Sequence, residues 1–171
     1  MTAHPARVLT LVAALLRAAS PAAAQAAPSP TFALRFMAPE TALKAAQAAL
    51  AHCRSQGFQV AVAVVDRSGV TQVLLRDRFA GPHTVETAQG KAWTAASFRV
   101  NTTTLGAETQ AGRAMSGIRA LPRVVAVGGG LPIDEGGTLW GGIGVSGAPG
   151  GDADEACASA GIKAVADELS F

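Results

Sequence analysis

Tyrosine is absent from the 171 residues, and the other aromatic side chains are six phenylalanines and two tryptophans. A core built under that restriction has no large plugs. It must come from valine, leucine, isoleucine and alanine, and such a core needs backbones that approach closely. Charge is also sparse, at 15% of residues. The formal net charge of +2 comes from 14 basic and 12 acidic residues, but Arg7 and Arg17 are the only charged residues before Ala27, and without them the balance is 12 against 12. A chain of zero formal charge lacks the basic footprint that nucleic acid or an anionic membrane surface requires. The two cysteines, Cys53 and Cys157, are too few and too far apart for a zinc motif. Two readings of them stand: a disulfide linking the first and last helices, or two small buried apolar residues on alanine-rich faces.

Recognisable catalytic signatures are missing too. Gly128-Gly129-Gly130-Leu131-Pro132 lacks the Lys and Ser/Thr of a phosphate-binding loop, and no G-x-G-x-x-G opens a βαβ unit. Ser146 sits in Gly144-Val145-Ser146-Gly147-Ala148, with alanine where a nucleophile elbow has glycine. No carboxylate pair and no His/Cys cluster has metal-ligand spacing.

What is present begins with an address. Arg7, the apolar run Val8–Leu16, the helix-breaking Pro21 and the small residues Ala22–Ala26 read as a secretory signal cut after Ala24 or Ala26. The apolar run falls short of the ~20 residues that a membrane span requires. The expected organisation is a signal peptide at 1–26, a linker at 27–38 and a single domain at 39–171, secreted or periplasmic.

Within the domain, Pro39–Ser55 is helical, with Ala42, Ala45, Ala46, Ala49, Leu50 and Cys53 on one face and Gly57 as the stop. Phe58–Val65 is a buried strand, Asp66–Gly69 a turn and Val70–Arg76 the returning strand. A helix follows Gly81-Pro82, with Thr84 at its cap, and a shorter one is expected at about Leu105–Met115. Val124–Val127 is a third strand, Ile133–Gly137 a turn, Thr138–Ser146 another strand and Asp152–Leu169 the last helix. Strands joined by short turns, with helices before, between and after, indicate α+β with an antiparallel sheet.

Reactive side chains gather in Arg76–Arg99. His83, presented by a proline-stiffened turn, is a candidate haem-iron or metal ligand. His52 is a second candidate. Thr84, Thr87, Lys91 and Thr94 recur at helical spacing with no acid at the same spacing, which suits a wall facing a carboxylate. Ala88, Ala92, Ala95 and Ala96 form the opposite, small-residue face.

Five segments then occur in a familiar order: Val60–Gly69, Arg78-Phe79-Ala80-Gly81-Pro82-His83-Thr84, Lys91-Ala92-Trp93-Thr94-Ala95, Gly128–Pro132, and Gly141–Gly147 with Asp152. Over about Pro39 to Val165 the chain resembles the GlcG/HbpS/PduO C-terminal family, and most of all its secreted haem-binding branch. The resemblance implies an α+β domain of profilin-like shape, with a central antiparallel sheet of about five strands flanked by helices. It also implies self-association into homo-oligomers and haem as cofactor, linked in some members to haem breakdown, iron handling or redox signalling. On that reading His83 is the axial ligand with His52 second, Thr84, Thr87 and Lys91 meet the propionates, and Trp93 lends apolar cover. Two other readings use the same residues: an enzyme or carrier for a small carboxylate without haem, and an oligomeric sensory protein that contacts a membrane sensor partner.

Overall fold

The computed structural model describes residues 29–170. The chain divides into two compact units, Met1–Ala33 and Leu34–Phe171. Of the first, only residues 29–33 are described, and they carry neither helix nor strand; the expected signal peptide lies outside the described residues. No described helix is long and apolar enough to cross a membrane.

The second unit contains α1 (Pro39–Ser55), β1 (Ala61–Asp66), β2 (Thr71–Arg76), α2 (His83–Phe98), α3 (Thr102–Glu108), a 3₁₀ turn at Ser116–Ala120, β3 (Gly130–Glu135), β4 (Thr138–Ser146), α4 (Gly151–Lys163) and α5 (Ala166–Leu169). The described strands form one antiparallel sheet in the order β2-β1-β4-β3. It therefore has four strands rather than about five, and the α+β class holds.

β1 explains the layering. All of its residues are buried, and Ala61–Val65 are apolar on both faces. Val62 and Val64 point to one side and meet α1 and α4 in a core with Ala45, Ala49, Ile143, Val145 and Ala158. Each such branched side chain contributes about 1.5–3 kcal/mol on burial. Ala61, Ala63 and Val65 point to the other side and meet Ala88, Ala92 and Ala96 of α2. On β4, which pairs with β1, the residues opposite Ala63 and Val65 are Gly144 and Gly142. A Cβ on Gly144 would collide with the Ala88 carbonyl, and one on Gly142 with the Ala92 carbonyl. Alanines on the helix and glycines on the strand thus let α2 lie directly on the sheet.

The expected third strand is displaced. Val124–Val127 joins no sheet. The Val125 N–H donates to Thr94 Oγ1 at 2.9 Å, which straps the segment across the outer side of α2. The strand begins instead at Gly130, and Pro132 is tolerated because β3 is an edge. Gly136 and Gly137, at φ +59° and +72°, make the two-residue turn into β4 that a type I′ hairpin needs. The helix expected at Leu105–Met115 starts earlier and is shorter, because the Asn101 side chain accepts from the Thr104 N–H and caps it there.

Cys53 and Cys157 are bonded, with Cα atoms 5.5 Å apart, and join α1 to α4 behind the sheet. The bond spans a sequence separation of 104 residues, so replacing both cysteines by alanine should lower unfolding stability in urea by about 2–5 kcal/mol. An unchanged denaturation midpoint would show that packing alone holds the two helices.

Candidate functional site

The N-terminal half of α2 forms one wall of a cleft of about 600 Å³. Gly57, Phe58 and Gln59, after α1, line another side, together with Phe79 and Gly81 from the turn before α2. The end of β4 with the Gly147–Gly151 loop and Asp154 of α4 close it.

The turn that carries Phe79 and His83 is braced. Asp77 is buried and accepts a two-pronged contact from the guanidinium of Arg54, including Nε at 2.9 Å. The Asp77 carbonyl accepts from the Ala80 N–H at 3.1 Å, and the Arg76 guanidinium donates to the Ala80 carbonyl. Beyond the brace, Phe79 stands 79% exposed at the cleft mouth. The exposed His83 ring folds back over Gly81, where an added Cβ would lie 2.8 Å from the ring Cε1. Bare Gly81 is what leaves room for the imidazole in this position.

The hydroxyl and ammonium stripe is brought to the cleft, but it is not a free anion-facing wall. Thr84 Oγ1 donates to the Gly81 carbonyl at 2.6 Å, and Thr87 Oγ1 donates to the His83 carbonyl at 2.9 Å. Both protons are spent on the helix itself. Lys91 is buried and donates from Nζ to Asp154 Oδ2 at 2.7 Å and to the Val145 carbonyl at 2.9 Å. Its acidic partner was missed because the two residues are 63 apart in sequence, and only the fold brings the start of α4 to the end of β4 beside α2. Asp154 Oδ1 accepts from the Ala148 N–H at 3.0 Å, so one carboxylate holds the lysine and the loop after β4 together.

Two of the expected residues lie outside this cleft. Trp93 does not cover this cleft; ten residues after His83, it lies toward the other end of α2 and lines a separate hollow. His52, half-buried in the last turn of α1, does not line the cleft either. The cleft instead gains Phe79, Ser146 and Gln59, whose buried Oε1 has no donor among the described residues. No described group of three or more His, Cys, Asp or Glu side chains is arranged to hold a metal ion.

The model of the family described as haem degrading protein HbpS-like matches residues 37–163, and the chain belongs to that family. A double mutant of HbpS from Streptomyces reticuli is 37% identical, with a TM-score of 0.75 over 91% of this chain and 100% of that one. PduOC, solved as a complex with haem, is 29% identical, with a TM-score of 0.71 over 76% of this chain and 95% of that one. The protein ORFY of Klebsiella pneumoniae, at 24% identity and a TM-score of 0.77, shares the fold over 81% of this chain and 97% of its own. No curated protein matches.

The Lys91–Asp154 pair makes a pH prediction. Burial pushes the Asp154 carboxyl above its ordinary value of 3.8, against the opposing pull of Lys91 and the Ala148 N–H. A carboxyl that holds its proton more tightly folded than unfolded contributes stability below its ordinary value and loses it as pH rises through the raised one. The stability of the native protein relative to Asp154→Asn should therefore fall as pH rises from about 4 toward neutrality. A rise over that range would show that Lys91 outweighs burial. At neutral pH, Lys91→Met strands the buried carboxylate and should cost about 3–5 kcal/mol.

Proposed function

We propose that the protein binds haem in the cleft at the N-terminal end of α2, with His83 as the iron ligand. The observation that carries this reading is the exposed His83 imidazole at the mouth of a 600 Å³ cleft rimmed by Phe58, Phe79 and Val127. That size falls in the usual range of roughly 300–1,000 Å³ for cofactor sites. An exposed ring nitrogen suits iron, and an apolar rim suits the face of a planar macrocycle, so the residues present fit the group. The family match and a relative solved with haem support the same reading.

The chain's own residues divide the work. Phe58 and Phe79 exclude water from the macrocycle. Lys91, held by Asp154 and the Val145 carbonyl, has one N–H left that would serve a propionate. Thr84 and Thr87 line the wall beside the propionates. Bound haem supplies iron redox chemistry, and the cleft sets its access to water. The disulfide suits an oxidising compartment, and we place the protein outside the cytoplasm, secreted or periplasmic. Self-association belongs to the same reading, with the exposed Met115, Leu121 and Val127 as candidate contacts, as does signalling through a membrane sensor.

Titration of haemin into the purified protein tests this. The native chain and His52→Ala should give the same shifted Soret band, and His83→Ala should lose it or bind at least about tenfold more weakly, a loss near 1.4 kcal/mol. A band unchanged by His83→Ala removes that residue from the site. The polar floor of Lys91, Ser146 and Asp154 favours a second reading, a small-carboxylate enzyme or carrier. No Soret shift, with thermal stabilisation by small acids, would select it.

A further inference from the structure

The hollow around Trp93 has a different chemistry from the cleft. It measures about 280 Å³ and is lined by the turn between β1 and β2, the last turn of α2, and Arg99 just beyond it. Arg67 and Arg99 line it, and Arg123 lies over the Trp93 ring with its guanidinium carbon 5.0 Å from the centroid. Two arginines thus line the hollow, and a third stacks on the indole that borders it. The ion pairs among the described residues join Lys44 to Glu168, Arg54 to Asp77, Lys91 to Asp154 and Arg113 to Glu108, and use none of the three, although Arg67 donates from Nη1 to the Arg35 carbonyl at 3.5 Å. Asp66, the acid beside Arg67, is already engaged by the N–H groups of Ser68 and Val70 and by the Gln72 amide.

The other polar groups at the hollow also have capacity to spare. The Trp93 indole N–H meets no acceptor among the described residues, and the Ser68 and Ser97 hydroxyls make no hydrogen bond there. Gly69 holds the indole in place: a Cβ on it would sit 2.7 Å from Trp93 Cδ1 and 2.9 Å from Nε1. The backbone adds an independent sign. Among the described residues, the only non-glycine positions with positive φ are Arg99, at 55°, and Arg123, at 72°. Such conformations are uncommon outside glycine, and they gather where the surrounding structure imposes a particular side-chain placement. Arg99, the left-handed C-cap of α2, lines the hollow, and Arg123 stacks on the Trp93 ring at its border.

We infer that this hollow is a second binding site, separate from the cleft, for a small multi-oxygen anion such as a polycarboxylate or inorganic phosphate. A guanidinium presents paired N–H donors that match carboxylate and phosphate oxygens. Arg67 and Arg99 grip the anion, the indole N–H and the two serine hydroxyls orient it, and Arg123 stacked on the indole adds charge from the side. The site's small volume excludes a macrocycle.

The indole N–H resonance of Trp93, assigned with Trp93→Phe, reports occupancy directly. Citrate and inorganic phosphate are titrated separately into the full chain, with chloride at matched ionic strength as the reference. A saturable shift of the Trp93 signal with either probe is expected, and the tighter probe identifies the class. Arg67→Gln/Arg99→Gln should weaken that binding at least about tenfold. His83→Ala should leave it unchanged. A response no different from that of chloride would overturn the site, and so would saturation that survives in the double variant. Loss of the response in His83→Ala would assign the anion to the cleft and overturn a separate site.

Discussion

Helix α2 can lie on the sheet only because β4 presents Gly142 and Gly144 to it. A methyl group at either position would collide with an α2 carbonyl, and the strand's partner β1 answers with Ala61 and Ala63 on the same face. A layer this thin leaves no room for aromatic filling on this face, whereas the opposite face buries Trp140. Every functional feature hangs from that contact. It sets where the two ends of α2 emerge, and each end is edged by a different hollow.

The buried ion pair fixes the larger of the two. Lys91 reaches from α2 to the Val145 carbonyl on β4 and to Asp154 on α4, so three elements meet at one ammonium group. Such a pair adds little net stability over a well-packed apolar substitute, but it is costly to half-remove. Its value here is positional. It pins α4, and with it the Gly147–Gly151 loop, at a set distance from His83. The disulfide acts from behind, since Cys157 is one turn along α4 from Asp154, and the Phe58 N–H at the cleft edge donates to the Cys53 carbonyl.

Much of this was legible in the residues. The apolar face of α1 and the doubly buried β1 follow from periodicity and β-branching, and the motif order identified the family. The misreadings share a physical cause. Val124–Val127 has the composition of a strand, but its partner is the Thr94 hydroxyl on a helix, and composition does not name partners. The Thr84–Thr87–Lys91 stripe was correctly placed on one face, yet its protons go to helix carbonyls and to an aspartate 63 residues away. Trp93 shares a helix with His83, but ten residues of helical rise carry it to a separate hollow. The arginines around it come from three separate segments, and only the fold assembles them.

Anomalous diffraction at the iron edge, from crystals of the protein with haem, tests the central claim most directly. The account predicts a single iron peak within coordination distance of a His83 ring nitrogen, in the cleft between Phe79 and the Gly147–Gly151 loop. An iron peak elsewhere, beside His52 or in the Trp93 hollow, would contradict it.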